Sequence, residues 1–104
     1  MPEVDTSPVR SSMADDEDFR ELLEMFVEGM NEKRNLLSSA FETQDFEGLR
    51  KIAHQLKGSG GGYGFSGVSE RAAHLEEACK HSLGAEVISE RLEAFLEYIA
   101  RVVV

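Results

Sequence analysis

The chain has one cysteine, Cys79, no tryptophan, and only two prolines, Pro2 and Pro8. A lone thiol closes no disulfide, so the fold must be held by its core, and a reducing, intracellular setting is expected. Cys79 falls in a helical pattern and reads as a small apolar residue, not a reactive thiol. After Pro8 nothing of that kind interrupts a helix. Positive charge is also scarce: 11 Lys and Arg stand against 20 Asp and Glu, for a net charge of −9 in 104 residues. A surface so acidic repels phosphate backbones, which excludes nucleic acid as a general partner. No run approaches the ~18 apolar residues that span a bilayer, and the N-terminus lacks a basic-then-apolar leader. The expectation is therefore a soluble, cytoplasmic monomer with no membrane contact.

What is present is helical periodicity. Phe19, Leu22, Leu23, Phe26, Met30, Leu37, Ala40 and Phe41 recur at intervals of three and four. Asp45 breaks that stripe and can cap a second helix, whose apolar face is Leu49, Ile52, Ala53 and Leu56. Val68, Ala72, Leu75, Ala78 and Cys79 mark a third, which Gly84 ends. Ile88, Leu92, Phe95, Leu96, Ile99 and Val103 mark a fourth. No segment alternates with period two, so strands are not expected. Four amphipathic helices on short connections bury their stripes best as an antiparallel, up-and-down four-helix bundle, an all-α fold. The expected division is a flexible acidic and polar tail over residues 1–14 and the bundle over 15–104. The run Asp15–Asp18 reads as helix-start charge opposing the dipole.

One stretch departs from this economy. "IAHQLKGSGGGYGF", Ile52 to Phe65, holds five of the nine glycines. On an ideal helix, at about 100° per residue, His54 lies roughly 150° from the apolar stripe and faces solvent. Arg50 stands one turn behind it, Lys57 and Gly58 one turn ahead, and Gly61 two turns ahead. An exposed imidazole with two cations and bare backbone beside it is unexpected in an acidic chain. The missing side chains at Gly58 and Gly61 open a shallow space sized for a tetrahedral anion, and Lys57 is a mobile point charge able to follow one. Each helical glycine costs ~0.8–1 kcal/mol relative to alanine. Ending the helix accounts for Gly64 and Gly67, but poorly for Gly58. Gly62 to Gly67 satisfies G-x-G-x-x-G, yet no strand precedes it, so a dinucleotide loop is excluded. His74 and His81 lie on a different helix, largely on its solvent face, and the second histidine of a helix zinc site is missing, so no metal site is expected.

These residues resemble the histidine-containing phosphotransfer (HPt) family, whose pattern is approximately H-x-[LI]-K-G-[SAG]-x-G-x-x-G after a small residue. Here it reads Ala53-His54-Gln55-Leu56-Lys57-Gly58-Ser59-Gly60-Gly61-Gly62-Tyr63-Gly64. The resemblance implies a phosphorelay intermediate, not an enzyme. His54 would accept a phosphoryl group from a receiver-domain aspartate and pass it to another receiver. Lys57 would steady the phosphoryl oxygens and Gly58 would leave room, with Arg50, Gln55 and Gly61 as binding positions around them. Glu76, on the third helix, is the residue that the resemblance implies could hold the other ring nitrogen. No cofactor of its own is implied, since Mg²⁺ would come with the receiver. The implied partners are response-regulator receiver domains or a hybrid histidine kinase. Ala73 stands where some kinase-attached relatives carry a further histidine, and Met1 with its tail suits a free-standing relay. The alternative is a helical module that docks a receiver without being phosphorylated.

Overall fold

A computed structural model describes residues 6–104. Helices α1 (Arg20–Glu28), α2 (Met30–Glu42), α3 (Phe46–Gly62), α4 (Ser66–Lys80) and α5 (Ala85–Ile99) follow a single 3₁₀ turn, Glu17–Phe19. Backbone hydrogen bonds continue across the α1–α2 boundary, from Gly29 N to Met25 O and from Lys33 N to Gly29 O, each 3.1 Å. These two helices are sections of the single first helix that the spacing predicts. Counted so, four helices form the expected bundle. α3 packs on α2 and α4, and α5 closes the ring against α4 and α2. No strand forms among the described residues.

Local chemistry sets the ends. Asp45 caps α3, its carboxylate accepting from Gly48 N at 2.9 Å, and Asp16 accepts from Asp18 N at the 3₁₀ turn. After α3 the chain reverses at Gly64, where φ is +81°, a conformation that favours glycine. Leu49, Ala53, Leu56 and Gly60 line the buried face of α3. That phase locks His54 outward, because rotating it inward would expose two leucines, each worth ~1.5–3 kcal/mol when buried.

Two expectations differ from the structure. Phe19 and Leu22, read as core, are exposed, because the first helix runs past the bundle before Leu23 and Phe26 turn into it. At the other end α5 stops at Ile99, and Val102, not Val103, is buried. The described part of the expected tail also lies on the bundle. Val9 pairs with Val102 in a parallel bridge. Ser11 is buried, donating to Tyr63 O at 2.6 Å, and Ser12 N donates to Gly64 O at 3.0 Å. One valine and one serine carry no period, so the sequence could not announce contacts made across 52 residues and more. Residues 1–5 of that tail lie outside the described residues.

The glycines of α3 divide by what surrounds them. A Cβ on Gly60 would stand 2.9 Å from Val68 Cγ1 and 3.1 Å from Ser69 N, so Gly60 is what lets α3 approach α4 closely. A Cβ on Gly58 would meet nothing within 4 Å. Opposite outcomes are expected from the same substitution two residues apart. Gly58→Ala should raise stability by about 0.5–1 kcal/mol through helix propensity. Gly60→Ala should lower it by about 1–3 kcal/mol, since Val68 is fully buried and stiff and the backbone beside it must give. Urea unfolding of both variants checks the signs.

Candidate functional site

His54 projects from the middle of α3 with 63% of its side chain exposed. Its Nδ1 lies 2.5 Å from Glu76 Oε2 on α4. Lys57, one turn along α3, donates from Nζ to the other carboxylate oxygen, Oε1, at 2.7 Å. Glu76 thus bridges both residues while only 12% of its side chain is exposed. The two helices are fastened nearby by Ser69 Oγ, which donates to the Lys57 carbonyl at 2.7 Å. Glu76 follows Ser69 by seven residues, two helical turns, and so emerges on the same side of α4.

The hydrogen bond from Lys57, reinforced by the one from His54, outweighs burial and holds the Glu76 carboxyl below its ordinary value of 4.5. An ionised carboxylate only accepts, so the proton between it and the ring belongs to Nδ1. In the neutral imidazole the lone pair is then on Nε2, which points away from Glu76. The site therefore turns the Nε2 lone pair of His54 outward, its tautomer fixed from behind.

A depressed carboxyl stabilises the fold above its unfolded pKa, and that contribution is lost as pH falls through the lower, folded value. Wild type should therefore melt above Glu76→Gln at neutral pH, and the gap should close on acidification below about 4.5. Thermal melts of both proteins across that range measure it. A gap that widened in acid would contradict the pairing.

Of the residues marked in the sequence, His54, Lys57 and Glu76 come together, with Gly58 open beside them. Arg50 does not join them. Its guanidinium is held by Glu47, Nη2 to Oε1 at 2.6 Å and Nε to Oε2 at 3.2 Å, so its charge is committed one turn back on α3. Gly61 is exposed, but its space is bounded on the α4 side, where a Cβ would make ordinary contact with Ser69 Oγ at 3.6 Å. The glycine that extends the bare strip is Gly62, which like Gly58 has nothing within 4 Å. Gln55 lies on the far flank, lining a groove of about 380 Å³ with Ser59, Leu56 and Tyr63 of the α3 side and Met25, Phe26, Gly29, Met30 and Lys33 of the first helix. Sequence reasoning missed Gly62 and Ser69. Helical phase could have found Gly62, roughly 80° from His54, had it been evident that α3 stays helical through its glycines. Nothing local marks Ser69.

Cys79 is half-buried, and burial pushes its thiol pKa up, which keeps it protonated and unreactive. Among the described residues no group of three or more His, Cys, Asp or Glu could hold a metal ion, and no helix is long and apolar enough to cross a membrane.

A helical bundle in which the exposed imidazole of His54 is held from behind by a carboxylate and bordered by bare backbone fits a module that carries a group on its surface rather than in a cleft. The chain belongs to the Hpt domain family, whose model matches residues 21–103. Membership implies phosphotransfer in two-component signalling. Hpt domains are phosphocarrier modules without catalytic activity of their own, and they interact with response-regulator receiver domains. Comparison with curated proteins and with solved structures gave no significant match.

Proposed function

We propose that this protein is a phosphorelay intermediate that accepts a phosphoryl group on Nε2 of His54 from the aspartyl phosphate of one receiver domain and returns it to the aspartate of another. The observation that carries the reading is the Glu76 bridge, which keeps the proton on Nδ1, frees Nε2 and leaves the ring exposed. In the forward step the Nε2 lone pair attacks phosphorus in line. The N–P bond forms as the bond from phosphorus to the aspartyl oxygen breaks, and the electron pair leaves with the carboxylate. The ring, substituted at Nε2 and still protonated at Nδ1, becomes cationic, and Glu76 offsets that charge at 2.5 Å. Donation is the reverse.

Lys57 serves the transferred group. It can exchange its bond to Glu76 for one to a phosphoryl oxygen, since Glu76 then keeps the imidazolium as its partner. Gly58 and Gly62 give the phosphoryl group and the receiver's active-site rim room to reach the ring. The partner supplies the aspartate and its Mg²⁺.

The test is transfer itself. Incubation with a phosphorylated cognate receiver should move label to this chain, in a linkage labile to acid and stable to alkali, as a phosphoramidate is. Mixing with ATP alone should leave the chain unlabelled. No transfer from any receiver of the source organism would leave a docking module in place of a carrier.

A further inference from the structure

Phe19, Leu22 and Met25 recur at intervals of three along the start of the first helix and remain exposed, at 37%, 43% and 69%. Leu36 and Leu83 are exposed as well, but each stands apart from other apolar residues in this set, which is ordinary surface scatter. Three in line form a patch that a partner can bury. The rim of the patch is acidic. Seven carboxylates and one arginine lie between Asp15 and Glu28, and that arginine, Arg20, is already paired with Glu24 at 3.2 Å. Among the described residues neither Glu21 nor Glu28 has an ion-pair partner. A recess of about 360 Å³ is lined by Leu22 and Met25 together with Asp18, Glu21, Glu24 and Glu28.

Position gives the patch its meaning. Met25 lines this recess and also the groove that Gln55 and Ser59 line from the His54 helix. A body resting on the bare strip at Gly58 and Gly62 therefore reaches Met25 next and the acidic rim after it. Lys33 is the one cation among the described residues lining the groove, and none lines the recess.

We infer that the outer face of α1 continues the docking surface of His54 and selects a partner whose apolar contact patch is flanked by lysine or arginine. The inference rests on the proposed function for what docks there, a receiver domain, and adds the charge that receiver must carry. A second copy of this chain is a poor occupant, since it would bring the same acidic rim against itself.

Receiver domains of the source organism are titrated against wild type and the triple variant Glu21→Lys, Glu24→Lys, Glu28→Lys by calorimetry at low and high salt. Labelling of His54 by phosphoramidate, a small donor that needs no docking face, is measured in parallel. For the receiver bound best by wild type, affinity should fall at least about tenfold in the variant at low salt, and the variant should lose the salt sensitivity seen in wild type. Phosphoramidate labelling should be equal in both, and circular dichroism unchanged. Equal affinity in the two proteins, binding of no receiver by either, or a dimer of this chain formed through the α1 face in sedimentation would each overturn the assignment. Charge-dependent binding without any labelling of His54 would instead uphold the docking face and overturn the relay.

Discussion

A His54→Gln protein should take up no label from a phosphorylated receiver, however long the incubation, while keeping its fold. The ring contributes little to the core, since most of it is exposed and the buried face of α3 is made by Leu49, Ala53, Leu56 and Gly60. What the substitution removes is one hydrogen bond to Glu76, and a glutamine amide can donate a replacement. Even where it does not, Lys57 still pairs the carboxylate, so no buried charge is left alone. A loss of about 1 kcal/mol or less is expected, which moves the midpoint of a domain this size by roughly 4–8 °C at most. Chemistry fares otherwise. An amide nitrogen has no available lone pair, and transfer should fall below detection. His74 and His81 are exposed but, among the described residues, have no carboxylate on their rings to fix a tautomer, so they should not substitute. Label on the variant at the wild-type level would place the acceptor elsewhere.

Much of this could be read from residues in order. The stripe through Leu49, Ala53 and Leu56 fixed the phase of α3, and phase alone placed His54 in solvent, because burial along one helix is a local, periodic property. The same logic failed at Phe19 and Leu22. Periodicity says which side of a helix is apolar, but not where the helix outruns its neighbours, and there the stripe becomes a surface. Arg50 had the right phase to flank His54, yet Glu47 lay three residues back at the spacing that favours pairing. Gly61 lies within roughly 20° of His54 on an ideal helix, and what bounds its flank is Ser69, a neighbour supplied by another helix. Glu76 is the reverse case. Its place beside the third helix's apolar stripe let it reach toward the second, but no spacing linked it to a residue 22 positions away, and family resemblance suggested the contact. Local physics gave His54 its exposure, and tertiary packing gave it its tautomer.

Gly58→Glu should leave the bundle intact and still stop transfer, which separates the room beside His54 from the stability of the helix. A side chain at Gly58 starts into open space, with nothing within 4 Å of its Cβ, and glutamate is a better helix former than glycine by several tenths of a kcal/mol. Unchanged or slightly higher stability is therefore expected. The new carboxylate would stand one turn from the ring, on the strip that a phosphoryl group crosses in the proposed transfer. Like charges about 4 Å apart repel by ~4 kcal/mol at the effective dielectric of a protein surface and by ~1 kcal/mol in bulk water. A partly desolvated encounter lies between these limits, so charge alone should slow transfer by roughly 10- to 1,000-fold. Excluding the receiver's rim by bulk adds to that. Gly58→Gln, with the same bulk and no charge, apportions the two effects: a rate between wild type and glutamate means both act. Gly62→Glu should show a weaker version, being open too but further round the helix from the ring. If Gly58→Glu carried phosphate at the wild-type rate, the bare strip would have no part in admitting the phosphoryl group, and the open backbone beside His54 would be incidental to its chemistry.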